Sequence, residues 1–221
     1  MAETSPGAVG LSREQEEAAF YHEAALNTAW TGVRLMIGVV TSGLGAFVFA
    51  FFYLRSVNNY GLWYPAGFQG PKQWEGALIM GVIVVSAAAT SFGLQQLKAG
   101  KKSAWSGLAM VALVLGVAAV GIQVGQLATL SFKPGDNAFA SVFVGASAVF
   151  TILVLATMIW LEITVMNARR IPEISFVEQP PTFVEAAEVQ RFQASLSAFT
   201  LFWNFVAVAA VVLWVLFYLV H

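Results

Sequence analysis

Few side chains in this sequence could carry out acid–base, redox or metal chemistry. Histidine occurs only at His22 and His221, outside the apolar stretches, and there is no cysteine. Haem, copper and iron sites in membranes normally use such ligands. Motifs of nucleotide-binding loops, serine hydrolases, zinc proteases and dinucleotide-binding folds are also missing. We therefore expect no catalytic residue, cofactor or metal site in this chain.

Glu162, which ends the fourth apolar stretch, is the one carboxylate that could lie within the membrane. It precedes Arg169 by two helical turns, so one hypothesis is an interfacial ion pair with Arg169 or with Arg34. The alternative is a proton-handling carboxylate, because ionisable groups inside membranes are often functional. No second ionisable group is near enough in sequence to continue a proton path.

Amide and hydroxyl side chains are the other polar groups of the apolar stretches. In membranes such groups hydrogen-bond between helices and contribute roughly 0.6 kcal/mol each. The candidates for this role are Ser86, Thr90, Gln123, Gln126, Ser147, Thr151 and Asn204, the last beside Trp203. We expect these residues to pack helices together, with a ligand or lipid contact as the alternative for Asn204.

Small residues spaced four apart allow two helices to approach closely. Gly121 and Gly125 form one such pair, and Ser86 and Thr90 form another, separated by three alanines. These faces predict either a tightly packed bundle or docking onto another membrane protein.

The elements that must position these residues are predicted to be membrane helices. Of 221 residues, 58% are hydrophobic and 10% charged, and the mean hydropathy is +0.74, whereas soluble domains carry about 25% charged residues. A bilayer span needs roughly 20 apolar residues. The pattern predicts an all-α integral membrane protein, one domain over residues 1–221, with transmembrane helices at about 33–55, 76–98, 104–130, 138–166 and 195–220. The net charge of −1 and the lack of a basic run exclude nucleic-acid binding.

Basic residues predict the orientation, because cytoplasmic segments are enriched in them. Eight lie on the side of the N-terminus and three on the other side, which predicts the N-terminus inside and the C-terminus outside. Residues 1–29 are predicted to be a cytoplasmic segment with a short helix, capped by Ser12. Residues 167–194 are predicted to be a cytoplasmic connection, extended at 171–181 and followed by a second capping box at Thr182.

Several segments, in order, resemble subunit III of the haem–copper oxidases in its shorter, five-helix bacterial form. FFYLR and WYP resemble the end of that family's first span and the loop after it. The series continues with SAAAT, GIQVGQL, SFKPGDNAFASVFVGASAVFT and finally LFWNFVAVAAVVLWVLFYL. The resemblance covers roughly residues 30–219.

Charged and histidine positions of that family are neutral here. Its first-span glutamate corresponds to Val40, its glutamate after Gln corresponds to Gln126, and its closing WHF histidine corresponds to Asn204. The family's two fourth-span histidines have no counterpart within 145–151. An amide keeps a hydrogen bond but does not titrate near neutral pH.

The resemblance implies a cofactor-free accessory subunit of a respiratory oxidase in the inner membrane. It implies that the chain packs beside catalytic subunit I, which holds haem and copper, and that it holds phospholipid in a cleft between a two-helix and a three-helix group. Alternatives are a subunit III-like protein of a nitric oxide reductase, a supercomplex-specific structural subunit, a small-solute carrier and an assembly factor. The electron donor, cytochrome c or quinol, stays open.

Overall fold

The computed structural model describes residues 13–58, 60–176 and 183–220. These residues form five long helices and two short helical segments. The long helices are α1 (Arg13–Val57), α2 (Gln73–Lys98), α3 (Lys102–Ala128), α4 (Ala138–Ala168) and α5 (Phe183–Trp214). A 3₁₀ turn, Glu173–Phe176, lies between α4 and α5, and a π-helical segment, Val215–Leu219, continues α5.

The described part of the chain contains no strand, and its five long helices are each long and apolar enough to cross a membrane. Their most apolar windows have mean hydropathies between 2.1 and 2.4. The prediction of an all-α protein with five such helices is therefore confirmed.

The first helix differs from its prediction. A short helix followed by a separate span was predicted, but α1 is one uninterrupted helix of 45 residues. The segment before the apolar stretch is rich in alanine and glutamate, which favour helix, and contains no proline. Ser12 and Thr182, the predicted helix caps, lie outside the described residues, as does His221.

The connection between α4 and α5 also differs from its prediction, because residues predicted to be extended form the 3₁₀ turn Glu173–Phe176. Polar contacts with the start of α3 explain this. Lys102 Nζ donates to the carbonyl of Ile171, and the Ser103 amide donates to Glu173 Oε1 at 3.4 Å. The turn is thus attached to the bundle.

Helix α2 lies at the centre of the packing. Its most extensive contacts are with α3 and then with α5, while α4 packs against α3 and α1 packs against α5 and α4. Contacts between α1 and α2 are at most slight. The predicted division into the first two and the last three helices is therefore wrong. Small residues on α2 explain the difference, since Gly93 lets the Trp105 ring of α3 approach closely.

Aromatic side chains close one end of the bundle, here called the aromatic end. The loop between α1 and α2 places Trp63 against Phe51 and Phe139, with ring centroids 5.0 and 5.6 Å apart. Phe217 packs edge-to-face on Phe143 at 5.4 Å. The backbone at the end of the π-helical segment is held there as well, because Arg55 donates to the carbonyl of Val220. This end joins α1, α4 and α5.

Candidate functional site

A buried chain of hydrogen bonds joins three helices in the core. The indole Nε1 of Trp203 on α5 donates to Ser86 Oγ on α2 at 3.1 Å. Ser86 Oγ then donates to the backbone carbonyl of Ala112 on α3 at 2.8 Å. All three residues are fully buried. Each polar group in this chain of hydrogen bonds therefore has a protein partner, and α2 is bonded to both of its main neighbours.

Asn204, the next residue on α5, makes a second bond to α2. Its Nδ2 donates to Ser91 Oγ at 3.0 Å. The single hydroxyl proton of Ser91 is shared between two acceptors, the carbonyl of Ala87 at 3.0 Å and Asn204 Oδ1 at 3.2 Å. Asn204 is half-buried. The structure thus places this amide at a helix–helix contact, with its hydrogen-bonding groups used by α2.

A third set of polar contacts lies nearer the aromatic end. Tyr218 Oη, in the π-helical segment, donates to Gln126 Oε1 on α3 at 3.1 Å. Gln123, one turn earlier, donates through Nε2 to the carbonyl of Ser147 on α4 at 3.4 Å. The Tyr218 ring lies directly over Gly76 on α2, where the β-carbon of any other residue would lie 2.3 Å from the ring. Glycine at this position is therefore what admits the ring.

Other predicted residues bond within their own helices instead of across the bundle. Thr90 Oγ1 donates to the carbonyl of Ala87 at 2.8 Å, and Thr151 Oγ1 donates to the carbonyl of Ser147 at 2.7 Å. A threonine hydroxyl reaches the preceding turn of its own helix without any partner helix. The prediction of interhelical bonds does not hold for these two threonines.

Gly121 and Gly125 are exposed, and nothing lies within 4 Å of where their β-carbons would be. They do not bring helices of this chain together. Close approach occurs instead at Gly76, Gly93 and Gly116, where a β-carbon would meet Tyr218, Trp105 and Met158 respectively. The tightly packed face predicted for Gly121 and Gly125 is therefore absent inside the bundle.

Glu162, Arg169 and Arg34 are all exposed. Within the described ranges no ion pair joins Glu162 to either arginine; the pair found there is Lys72 with Glu75, at 3.2 Å. Holding two long exposed side chains in one geometry costs entropy that a solvated ion pair hardly offsets. The predicted interfacial pair is not formed.

The described residues contain no group of three or more histidine, cysteine, aspartate or glutamate side chains that could hold a metal ion. The side chain of His22 is not among those described. What the arrangement does offer is hydrogen bonding between helices and apolar surface.

An apolar groove runs between α1 and α5 on the outside of the bundle. Its volume is about 230 Å³, and its lining is formed by Leu44 and Val48 of α1 with Phe205, Val208 and Val212 of α5, among others. The predicted cleft between the first two and the last three helices is not found among the described residues, because α2 and α3 are in extensive contact.

Sequence reasoning missed two partners, Ser91 and Tyr218. Ser91 lies five positions after Ser86, a spacing that no helix-packing motif uses. Both serines bond to α5 because of how α2 is oriented about its own axis, and this orientation cannot be read from the sequence. Tyr218 carried a weak signal as the one phenol near the end of the last apolar stretch. No protein-family model matches this chain, and no curated protein matches it.

Proposed function

We propose that this chain is a cofactor-free accessory subunit of a respiratory haem–copper terminal oxidase, similar to subunit III. In this proposal it crosses the bacterial inner membrane five times, with its N-terminus in the cytoplasm. The assignment to an oxidase rests on the ordered resemblance of segments between residues 30 and 219. The orientation rests on the excess of basic residues on the N-terminal side.

A structural and not a catalytic role is supported by one observation above the others. Trp203 and Asn204, at the position where the resembled family has its closing WHF motif, are bonded to Ser86 and Ser91 of α2. Their polar groups hold α5 to α2 and leave no titratable group for chemistry. In the proposed complex, the partner subunit binds haem and copper and reduces O₂, and this chain stabilises that partner by lateral packing.

Lipid holding is the second part of the proposal. The groove between α1 and α5 exposes no polar lining surface, and its lining extends over about two turns of each helix. We propose that part of an acyl chain lies in this groove, because it would cover apolar surface there. The proposed lipid thus lies between α1 and the remaining helices.

The test is affinity purification of the tagged chain in a mild detergent, followed by a reduced-minus-oxidised visible spectrum. A tagged membrane protein of similar size serves as the control for nonspecific capture. Haem bands in a stable complex with a large, histidine-rich membrane subunit are the expected result. A colourless, monodisperse chain would overturn the oxidase proposal in favour of a carrier or an assembly factor.

Haem bands alone do not distinguish an oxidase from a nitric oxide reductase. Metal analysis of the same complex does, because the proposed oxidase partner contains copper. Oxygen consumption by the purified complex is the activity that the proposal requires.

A further inference from the structure

Helices α2 to α5 and the π-helical segment line a small cavity near the aromatic end. Its volume is about 40 Å³, and its lining includes Gln123, Gln126, Ser147, Trp214 and Tyr218. Organic ligands occupy pockets of about 300 Å³ or more. A single water needs roughly 10–15 Å³ of such volume. The cavity is therefore of a size for water and not for a metabolite or a lipid.

Two hydrogen-bond donors in this lining have no partner among the residues that the structure describes. They are Gln126 Nε2 and Trp214 Nε1, and both atoms are inaccessible from outside. Gln126 as a whole is only 4% exposed. A buried donor left unbonded is unfavourable, so two such donors on residues that line one cavity point to a bound acceptor.

The Gln126 amide needs a further partner in either of its two orientations. As assigned, Oε1 accepts from Tyr218 Oη and Nε2 is left over. If the amide were turned, Nε2 would donate to Tyr218 Oη and Oε1 would be left over. Either way one polar atom of the amide needs a further partner.

We propose that this cavity is a binding site for one or more structural water molecules. Water accepts from the Gln126 amide and the Trp214 indole, and the side-chain oxygens of Gln123 and Ser147 are acceptors for its protons. A halide ion would also accept from the two donors. However, the lining contains no cationic side chain to offset a buried charge.

A π-helical segment forms part of the cavity lining. The amide of Val220 bonds to the carbonyl of Val215, an i to i+5 bond of 3.1 Å. Such wider turns recur where a protein places side chains for a specific role. Trp214, the last residue of α5, and Phe217 and Tyr218 of the π-helical segment all line the cavity. The site does not depend on an oxidase partner.

Solid-state NMR of the full chain in lipid bilayers tests this site. The tryptophan indoles and glutamine amides carry ¹⁵N, and magnetisation is transferred from water protons to their N–H groups. We expect water cross-peaks at the Trp214 indole and the Gln126 amide at a mixing time that gives none at Trp203. The Trp203 indole is the internal control, because it is buried and bonded to Ser86. Transfer to Trp214 as slow as transfer to Trp203 would overturn the proposal.

Two neighbouring alanines provide a matched pair of variants. Ala210 lines the cavity, whereas Ala209 lines the groove between α1 and α5. Ala210→Val should abolish the water cross-peaks at Trp214 and Gln126, and Ala209→Val should leave them unchanged. A cross-peak that survives Ala210→Val would mean that water reaches Trp214 from elsewhere, which contradicts the site. The wild-type spectrum decides the question even if Ala210→Val does not fold.

Discussion

Asn204 and Ser91 are bonded across the contact between α5 and α2, so their substitutions should be coupled. We expect a coupling energy of about 0.6 kcal/mol, and up to ~1.7 kcal/mol, from the cycle Asn204→Ala, Ser91→Ala and the double variant. The measurement is unfolding by a denaturing detergent in mixed micelles.

Asn204→Leu should weaken the bundle or its association while leaving any haem spectrum of the complex unchanged.

The control for the double-mutant cycle of Asn204 and Ser91 is Thr90→Ala. Thr90 is adjacent to Ser91 but bonds within its own helix, so its coupling with Asn204→Ala should be close to zero. Equal coupling in both cycles would contradict a specific bond. A shifted haem spectrum in Asn204→Leu would contradict a packing role for Asn204.

Ser86 both accepts from Trp203 and donates to the carbonyl of Ala112. Ser86→Ala leaves a fully buried indole N–H without its partner, so we expect a loss of about 1–3 kcal/mol in the free energy of unfolding. Ser42→Ala is the control, because Ser42 is exposed and bonds only to its own helix; its effect should stay within about 0.5 kcal/mol. Similar losses for both variants would contradict a stabilising role for the hydrogen bonds that Ser86 makes to α5 and α3.

Glu162 is exposed and has no ion-pair partner among the described residues. Glu162→Gln should therefore have little effect on proton pumping by the complex, measured as acidification by reconstituted vesicles. The amount of assembled complex is measured in the same preparation. A marked loss of pumping with normal assembly would instead support the proton-handling hypothesis.

At the scale of helices, the number and type of the elements were predictable. Charged residues interrupt the apolar stretches at intervals that fit a bilayer span, and this pattern depends only on local sequence. The choice of packing face did not follow from sequence. Hydrophobic side chains surround each helix on all sides, so no amphipathic stripe indicates which face is inside. For this reason the spacing of Gly121 and Gly125 predicts close packing or docking without deciding between them. Close approach inside the bundle occurs instead at Gly76, Gly93 and Gly116.

For the candidate site, too, the sequence did not show which face of each helix points inwards. Ser86, Gln123, Gln126 and Asn204 do form bonds between helices, because an amide or a serine in an apolar core needs a partner. Thr90 and Thr151 satisfy that need within their own helices. Which of these outcomes applies depends on the rotation of each helix, and the residue type does not determine it.

Two glycines of α2 give a direct test of the packing. Gly76→Ala places a methyl group against the Tyr218 ring, and Tyr218 cannot move without losing its bond to Gln126. We expect a loss of about 1–3 kcal/mol in the free energy of unfolding, as for other overpacked cores. Gly81→Ala is the matched control on the same helix, since nothing lies within 4 Å of its added carbon.

Gly81→Ala should be neutral or stabilising by up to about 1 kcal/mol, because alanine favours helix over glycine. Detergent unfolding of both variants provides the comparison. Equal stability of Gly76→Ala and Gly81→Ala would contradict the described position of Tyr218.

At the scale of the whole molecule, the glycines at 121 and 125 face outwards and are free to contact another protein. If α3 docks on the proposed partner, Gly121→Ile with Gly125→Ile should reduce the haem protein recovered with the tagged chain, because bulky residues keep helices apart. The folding of the isolated chain should not change. Gly38→Ile with Gly43→Ile, at exposed positions of α1, is the control. Equal recovery from both double variants would argue against docking through α3.

Helix α5 contacts α1, α2 and α4. With the π-helical segment that continues it, α5 supplies Trp203, Asn204 and Tyr218 to the polar contacts of the core. It is also the last of the five helices to leave the ribosome. Until this last part of the bundle is synthesised, Ser91 and Gln126 lack their partners Asn204 and Tyr218. The polar contacts of the core therefore form late in biosynthesis, after the four earlier helices have been made.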